Sequence, residues 1–164
     1  MREKQQNQQG FTLLEILVVM IIIGVLVAMG INSYLSAQIK SRDGARKSDL
    51  RQITEGLEMY YNDKSEYPAS TVDGQIESGG VIFEWGESFY DPDNINTIYM
   101  SELPTSPGGG SYFYQSDGTY YYLFALLENP NDPAILADGY DSTACGDTEC
   151  NFVLSSPNVE DPTN

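Results

Sequence analysis

The sequence predicts an α+β protein: a long N-terminal α-helix, membrane-spanning in its first half and amphipathic in its second, packed on a small antiparallel β-sheet. Three observations predict this. Residues 16–39 hold no charge, and Leu, Ile, Val and Met dominate up to Ile31. No proline occurs between Met1 and Pro68, so nothing forces the helix to break. Beyond Pro68 the chain turns to short aromatic and apolar runs separated by Gly, Pro, Asn and Asp, the composition of strands and tight turns.

The apolar run comes first. At about 1.5 Å rise per residue, residues 11–31 form a helix of roughly 30 Å, one bilayer core. A single carboxylate, Glu15, interrupts its start. A charge at membrane depth costs roughly 2.5–3.5 kcal/mol on insertion scales. Two explanations fit. Glu15 lies near the surface, where it reaches water and the positive end of the helix dipole, or it has a partner and a function. The run is too long for a secretory signal peptide, and no small-x-small cleavage site follows it.

The helix continues as its character changes. Asn32, Ser33, Tyr34 and Ser36 are polar but break nothing. Leu50, Ile53, Leu57, Tyr60 and Tyr61 then fall on one face, with Lys47, Arg51, Glu55 and Glu58 away from it. Asp43 and Lys47 stand four apart, a favourable helical ion pair. One helix is therefore predicted from about residue 11 to 62.

The sheet elements follow. Val81-Ile82-Phe83-Glu84-Trp85 predicts a short strand, with Trp85 as core or subunit contact. Residues 94–103 predict a short helical turn stopped by Pro104. Pro107-Gly108-Gly109-Gly110 is a turn; no Lys-Ser or Lys-Thr helix start follows, so it is no phosphate cradle. Tyr112-Phe113-Tyr114-Gln115 and residues 120–127 flank an Asp117-Gly118 turn and predict a hairpin. Both faces of its second strand are apolar or aromatic, and the sequence leaves open which one meets the helix. The tyrosines are assigned to packing. A last strand is predicted at residues 151–155, with a loose tail after it.

Cys145 and Cys150 are the only cysteines, and there is no histidine. A zinc site lacks ligands. A disulfide in an oxidising compartment fits the pair, and the small loop it closes places its contribution at the low end of roughly 2–4 kcal/mol.

Charge is unevenly spread along the 164 residues, whose formal net charge is −16. All eight Lys and Arg lie at or before Lys64, and residues 65–164 carry 17 acids and no base. That segment cannot form salt bridges within itself, and it repels nucleic acid phosphate. Enzyme chemistry has no footing: no His, no Ser or Cys with an evident base, no acid pair at a spacing that assigns catalysis. The Lys/Arg count around the span gives an opposing signal. Lys40, Arg42, Arg46, Lys47 and Arg51 follow it and only Arg2 and Lys4 precede it, which by the positive-inside rule places the C-terminal part in the cytoplasm.

A polar leader ending in Gly10, then Phe11-Thr12-Leu13-Leu14-Glu15, then the apolar run, resembles the type IV pilin and type II secretion pseudopilin family. Ala45-Arg46-Lys47-Ser48-Asp49-Leu50-Arg51-Gln52-Ile53 and the later Glu66-Tyr67-Pro68 resemble the helix and its exit in pilin-like subunits. The resemblance is strong to about Pro68 and looser beyond. It implies a leader at 1–10 removed by a prepilin peptidase that cuts after Gly10. It implies an N-methylated new terminus at Phe11, a membrane and filament-core helix at 11–35, and a globular domain at 36–164. Glu15 would pair with the terminal amine of a neighbouring subunit, since two charges costly alone offset part of each other's desolvation when paired. Many family members have proline where this chain has Asn32; the glycine at Gly24 is kept.

The implied partners are identical or related subunits in a helical filament, the prepilin peptidase/methyltransferase, a membrane assembly platform and the lipid bilayer before assembly. The implied location is the cytoplasmic membrane, single-pass, with the C-terminal domain outside the cytoplasm, then a periplasmic or extracellular filament. Related pseudopilins often bind calcium in a C-terminal loop. The resemblance thereby makes Asp138, Asp141, Asp147 and Glu149 a candidate calcium set, against a plain acidic turn, and it implies no other cofactor. A secretion pseudopilus, a type IV pilus and a DNA-uptake pilus all remain open. So does a different class: a membrane-anchored binding or sensor module that never polymerises.

Overall fold

The computed structural model describes residues 10–136, 139–140, 145–146 and 148–159. The chain divides into two units, Met1–Gln38 and Ile39–Asn164. Among the described residues helix α1 (Leu13–Lys64) is followed by eight short strands. The α+β prediction holds, with the strands distributed over three small antiparallel sheets rather than one.

In the first unit the helix is apolar on every side from Ile16 to Ile31, and the unit's described side chains are all exposed. The second unit holds the core. There Leu50, Ile53, Leu57 and Tyr60 of α1 are buried, as their spacing predicts. Tyr61 is not: it remains 41% exposed and lies against the ring of Tyr67. A residue directly after Tyr60 is turned about 100° around the helix, too far to share the stripe's centre. α1 ends at Ser65, whose φ is 61° and whose N–H donates to Tyr61 O at 2.7 Å, a left-handed cap on a residue other than glycine.

The first sheet joins β1 (Ala69–Ser70), β2 (Ile76–Ser78) and β3 (Val81–Phe83). The second pairs β4 (Phe89–Asp91) with β5 (Asn94–Met100). β5 replaces the helical turn expected at residues 94–103. Ile95, Thr97, Ile98 and Tyr99 are β-branched or aromatic residues that favour extended backbone, and β4 supplies the hydrogen-bonding partner. The third sheet is β6 (Phe113–Ser116), β7 (Tyr121–Ala125) and β8 (Phe152–Ser155), with β7 central. Its hairpin turns at Asp117-Gly118. Asp117 Oδ1 accepts the Thr119 hydroxyl at 2.7 Å and the N–H groups of Thr119 and Tyr120 at 2.9 and 3.2 Å, and these hydrogen bonds, the hydroxyl's foremost, hold its carboxyl below the usual aspartate range.

β7 is covered on both sides. Tyr121, Leu123 and Ala125 join the main core with the α1 stripe. Phe124 faces the other way, clustered with Val153, Cys145 and Cys150. The odd-numbered face therefore meets the helix, and the C-terminal loop caps the even-numbered one. Tyrosine hydroxyls tie the sheets to carboxylates beside the stripe: Tyr112 donates to Asp49 at 2.6 Å, Tyr67 to Glu58 at 3.0 Å and Tyr99 to Asp63 at 2.7 Å. Burial and the neighbouring carboxylates push all three phenols above their usual range. Each ring thus fills core while its polar end meets a charged acceptor.

Candidate assembly site

The Gly10–Glu15 motif lies at the start of α1. Thr12 caps the helix: its Oγ1 accepts the Glu15 N–H at 3.3 Å, and its carbonyl accepts the Ile16 N–H at 3.3 Å. Thr12-Leu13-Leu14-Glu15 has the Thr-x-x-Glu spacing of a capping box, and the structure forms the threonine half of it. The Thr-x-x-Glu spacing is the signal in the sequence that marks this cap. The cap places Glu15 in the first turn, where unpaired N–H groups and the helix dipole favour an anion. Its carboxylate is exposed and makes no ion pair among the described residues. Gly10 is exposed, and among the described residues no atom beyond its chain neighbours lies within 4 Å of where a Cβ would be. Phe11 is 79% exposed.

Behind the motif the first unit presents Leu, Ile, Val and Met on all sides, none buried. By length and composition this is a helix able to cross a membrane. Soluble monomers rarely expose contiguous apolar patches above a few hundred Å². Such a surface requires lipid or other protein against it.

The second unit shows why basic residues crowd the helix after the span. Arg46, with only 4% of its side chain exposed, bonds Asp43 at 2.9 Å, Glu128 at 2.6 Å and the Pro107 carbonyl at 2.6 Å. Arg42 pairs with the other oxygen of Glu128. Asp43 in turn accepts the backbone N–H groups of Glu128 and Asn129, both at 2.8 Å. The two guanidinium groups hold the Glu128 carboxyl down at about 2, Arg42 foremost. Lys47 reaches Asp132 at 2.7 Å and lies over the Phe152 ring, and Lys64 reaches Asp91 at 2.9 Å. The expected Asp43–Lys47 pair is thus replaced on both sides. Asp43 turns inward to Arg46 and the loop backbone, and Lys47 turns to Asp132, because the acidic domain offers better-buried partners than the helix surface does.

At the C-terminal end Cys145 and Cys150 form a disulfide with Cα atoms 5.2 Å apart. Gly110 packs so closely on this loop that a Cβ there would lie 2.9 Å from the Cys145 carbonyl oxygen. Of the four candidate calcium ligands only Glu149 is among the described residues; Asp138, Asp141 and Asp147 lie outside them. The described residues alone contain no group of three ligands able to hold a metal.

Residues 5–31 match the prokaryotic N-terminal methylation motif family. The type II secretion system core protein G of Pseudomonas aeruginosa is 33% identical over 117 residues, covering 71% of this chain and 79% of the relative. The chain belongs to the type II secretion system core protein G family. The Pectobacterium carotovorum relative is 36% identical over 125 residues, covering 76% of this chain and 78% of its own length. The Klebsiella michiganensis relative is 32% identical over 119 residues, covering 71% and 80%. No solved structure matches significantly. As a pseudopilin, the chain is a structural filament subunit and not an enzyme. Its family assembles into a filament with related subunits.

Proposed function

We propose that this pseudopilin serves a type II secretion machine, held in the cytoplasmic membrane by α1 until a prepilin peptidase cuts after Gly10. Phe11 then becomes an N-methylated terminus, and its amine pairs with Glu15 of a neighbouring subunit as an assembly platform draws the helix out of lipid. One observation carries this: an accessible Gly-Phe bond stands directly before a capped helix that exposes both a carboxylate and an unbroken apolar surface. Association exchanges lipid for protein around the helix, and the amine–carboxylate pair fixes register, since either charge alone would be buried unpaired.

The disulfide supports a domain outside the cytoplasm, where thiols oxidise. The opposing Lys/Arg count loses weight because Arg42, Arg46 and Lys47 are held by bonds within the folded domain. Their presence has a folding reason independent of orientation.

Calcium belongs to the same proposal. The all-oxygen set Asp138, Asp141, Asp147 and Glu149 suits a hard cation. The Glu149 carboxylate lies against Gly139, with Oε2 3.2 Å from where a Cβ there would be. Bound calcium would neutralise part of the acidic excess beside the disulfide. Calcium should raise the melting temperature over a chelator, and less so in Glu149→Gln; equal melting with and without the metal would remove this part.

The main test is the N-terminal peptide of the protein from its own membrane, by mass spectrometry. A terminus at Phe11 with one added methyl is expected. An uncut Met1 start in assembled material would refute the processing scheme.

A further inference from the structure

We propose that the outer face of α1 between Lys40 and Arg51 docks the corner formed by Glu84, Glu87 and Glu102 of a second copy of this chain. The proposal rests on the filament role and names one of its contacts. Charge pairing inside the second unit motivates it. Of its six cations, Arg42, Arg46, Lys47 and Lys64 are bound to acids of the same chain. Lys40 and Arg51 are exposed and, among the described residues, make no ion pair or side-chain hydrogen bond. Glu55, one turn beyond Arg51, forms no ion pair with it.

These two cations share a face. They are eleven residues apart, about three helical turns. Lys47, in the row between them, is turned to Asp132, and Gly44, Ser48, Ser41 and Ala45, all exposed and all small, extend the surface to one side of that row. Nothing lies within 4 Å of where a Gly44 Cβ would be. A partner can therefore approach the helix closely beside the two charges.

The complementary surface is built from two loops locked together. Gly86 N–H donates to Leu103 O at 2.7 Å, Leu103 N–H to Glu87 O at 2.6 Å, and Glu87 N–H to Glu84 O at 3.1 Å. This backbone lacing carries Glu84, Glu87 and Glu102, each exposed and without an ion pair among the described residues. The chain does not join the two patches within itself, so their opposite charges remain for a neighbour.

Two different patches meeting head to tail form a heterologous interface, which repeats without closing unless its rotation makes a ring. That is the symmetry of a filament, not of a two-fold dimer, where each patch would meet its own kind. Exposed ion pairs contribute only about 0.2–1 kcal/mol each. The contact therefore sets register and partner choice, while the apolar helix supplies most of the association.

The test uses full-length protein in its own host, with assembly read as the fraction recovered in sheared filaments. K40E/R51E and E84K/E87K/E102K should each lose about tenfold, as like charges meet. The five-fold combination should recover to within about twofold of wild type. Wild-type filaments should also loosen as salt is raised, since screening at 1 M shortens the Debye length to about 3 Å. Full assembly of either reversal, no recovery in the combination, or salt-indifferent wild-type filaments would each overturn the contact. Glu15→Ala separates the two levels: if it assembles normally, the proposed Glu15-dependent assembly fails; if only it is defective, the docking face alone fails.

Discussion

Arg46→Ala should be the most damaging single surface-to-core change in the second unit. The guanidinium satisfies Asp43, Glu128 and the Pro107 carbonyl together, and it is almost wholly buried. Removing it leaves Asp43 buried with its main charge partner gone and the carbonyl without this donor. Breaking one side of a buried pair costs about 3–5 kcal/mol, because the surviving charge is desolvated without compensation. For a unit of this size 1 kcal/mol corresponds to roughly 3–4 °C, so the melting temperature should fall by about 10–20 °C. The assay is thermal unfolding of the full chain in detergent, followed by near-ultraviolet circular dichroism of the tyrosine-rich core. Arg51→Ala is the control, being an exposed arginine on the same helix, and should change stability by less than about 0.5 kcal/mol. Arg46→Ala melting within 3 °C or so of that control would refute the view that this cluster ties the helix to the acidic domain.

The remaining predictions concern acid, redox state, the helix end and the N-terminal carboxylate. Glu128 has a folded value of about 2 against an ordinary 4.5, so its contribution is present above about 4.5 and lost as pH falls toward 2. Wild type should lose stability across that window more steeply than Glu128→Gln; parallel curves would contradict the assignment. Replacing both Cys145 and Cys150 with Ser should cost about 2 kcal/mol, the loop-closure value for so short a link, measured by urea unfolding. Ser65→Gly should stabilise the protein by about 0.5–1 kcal/mol in the same assay, by removing a left-handed non-glycine residue at the helix end. Glu15→Ala should abolish filaments without lowering the melting temperature of the second unit, since Glu15 belongs to the first.

Much of the protein was legible in the chain because it depends on local rules. The span follows from uninterrupted apolar composition, and the buried stripe Leu50, Ile53, Leu57 and Tyr60 follows from helical period. The Asp117-Gly118 hairpin follows from turn chemistry, and the Cys145–Cys150 bond from the lack of any other partner for either thiol. The Gly10–Glu15 motif stood out because its order is fixed and unusual, whatever the fold around it.

Other features needed the third dimension. β5 is a strand because β4 lies beside it, a partner 94–103 cannot announce alone. The two faces of β7 are equally apolar in sequence, and only packing assigns Leu123 to the helix and Phe124 to the disulfide loop. The acids of residues 65–164 have no base among them, yet Glu128, Asp132 and Asp91 are neutralised by Arg42, Arg46, Lys47 and Lys64 of α1. Helical period tells which residues share a face, since that is set by 3.6 residues per turn. It does not tell what will lie opposite, because a contact between Arg46 and Glu128 spans 82 residues and exists only once the chain has folded back on its helix.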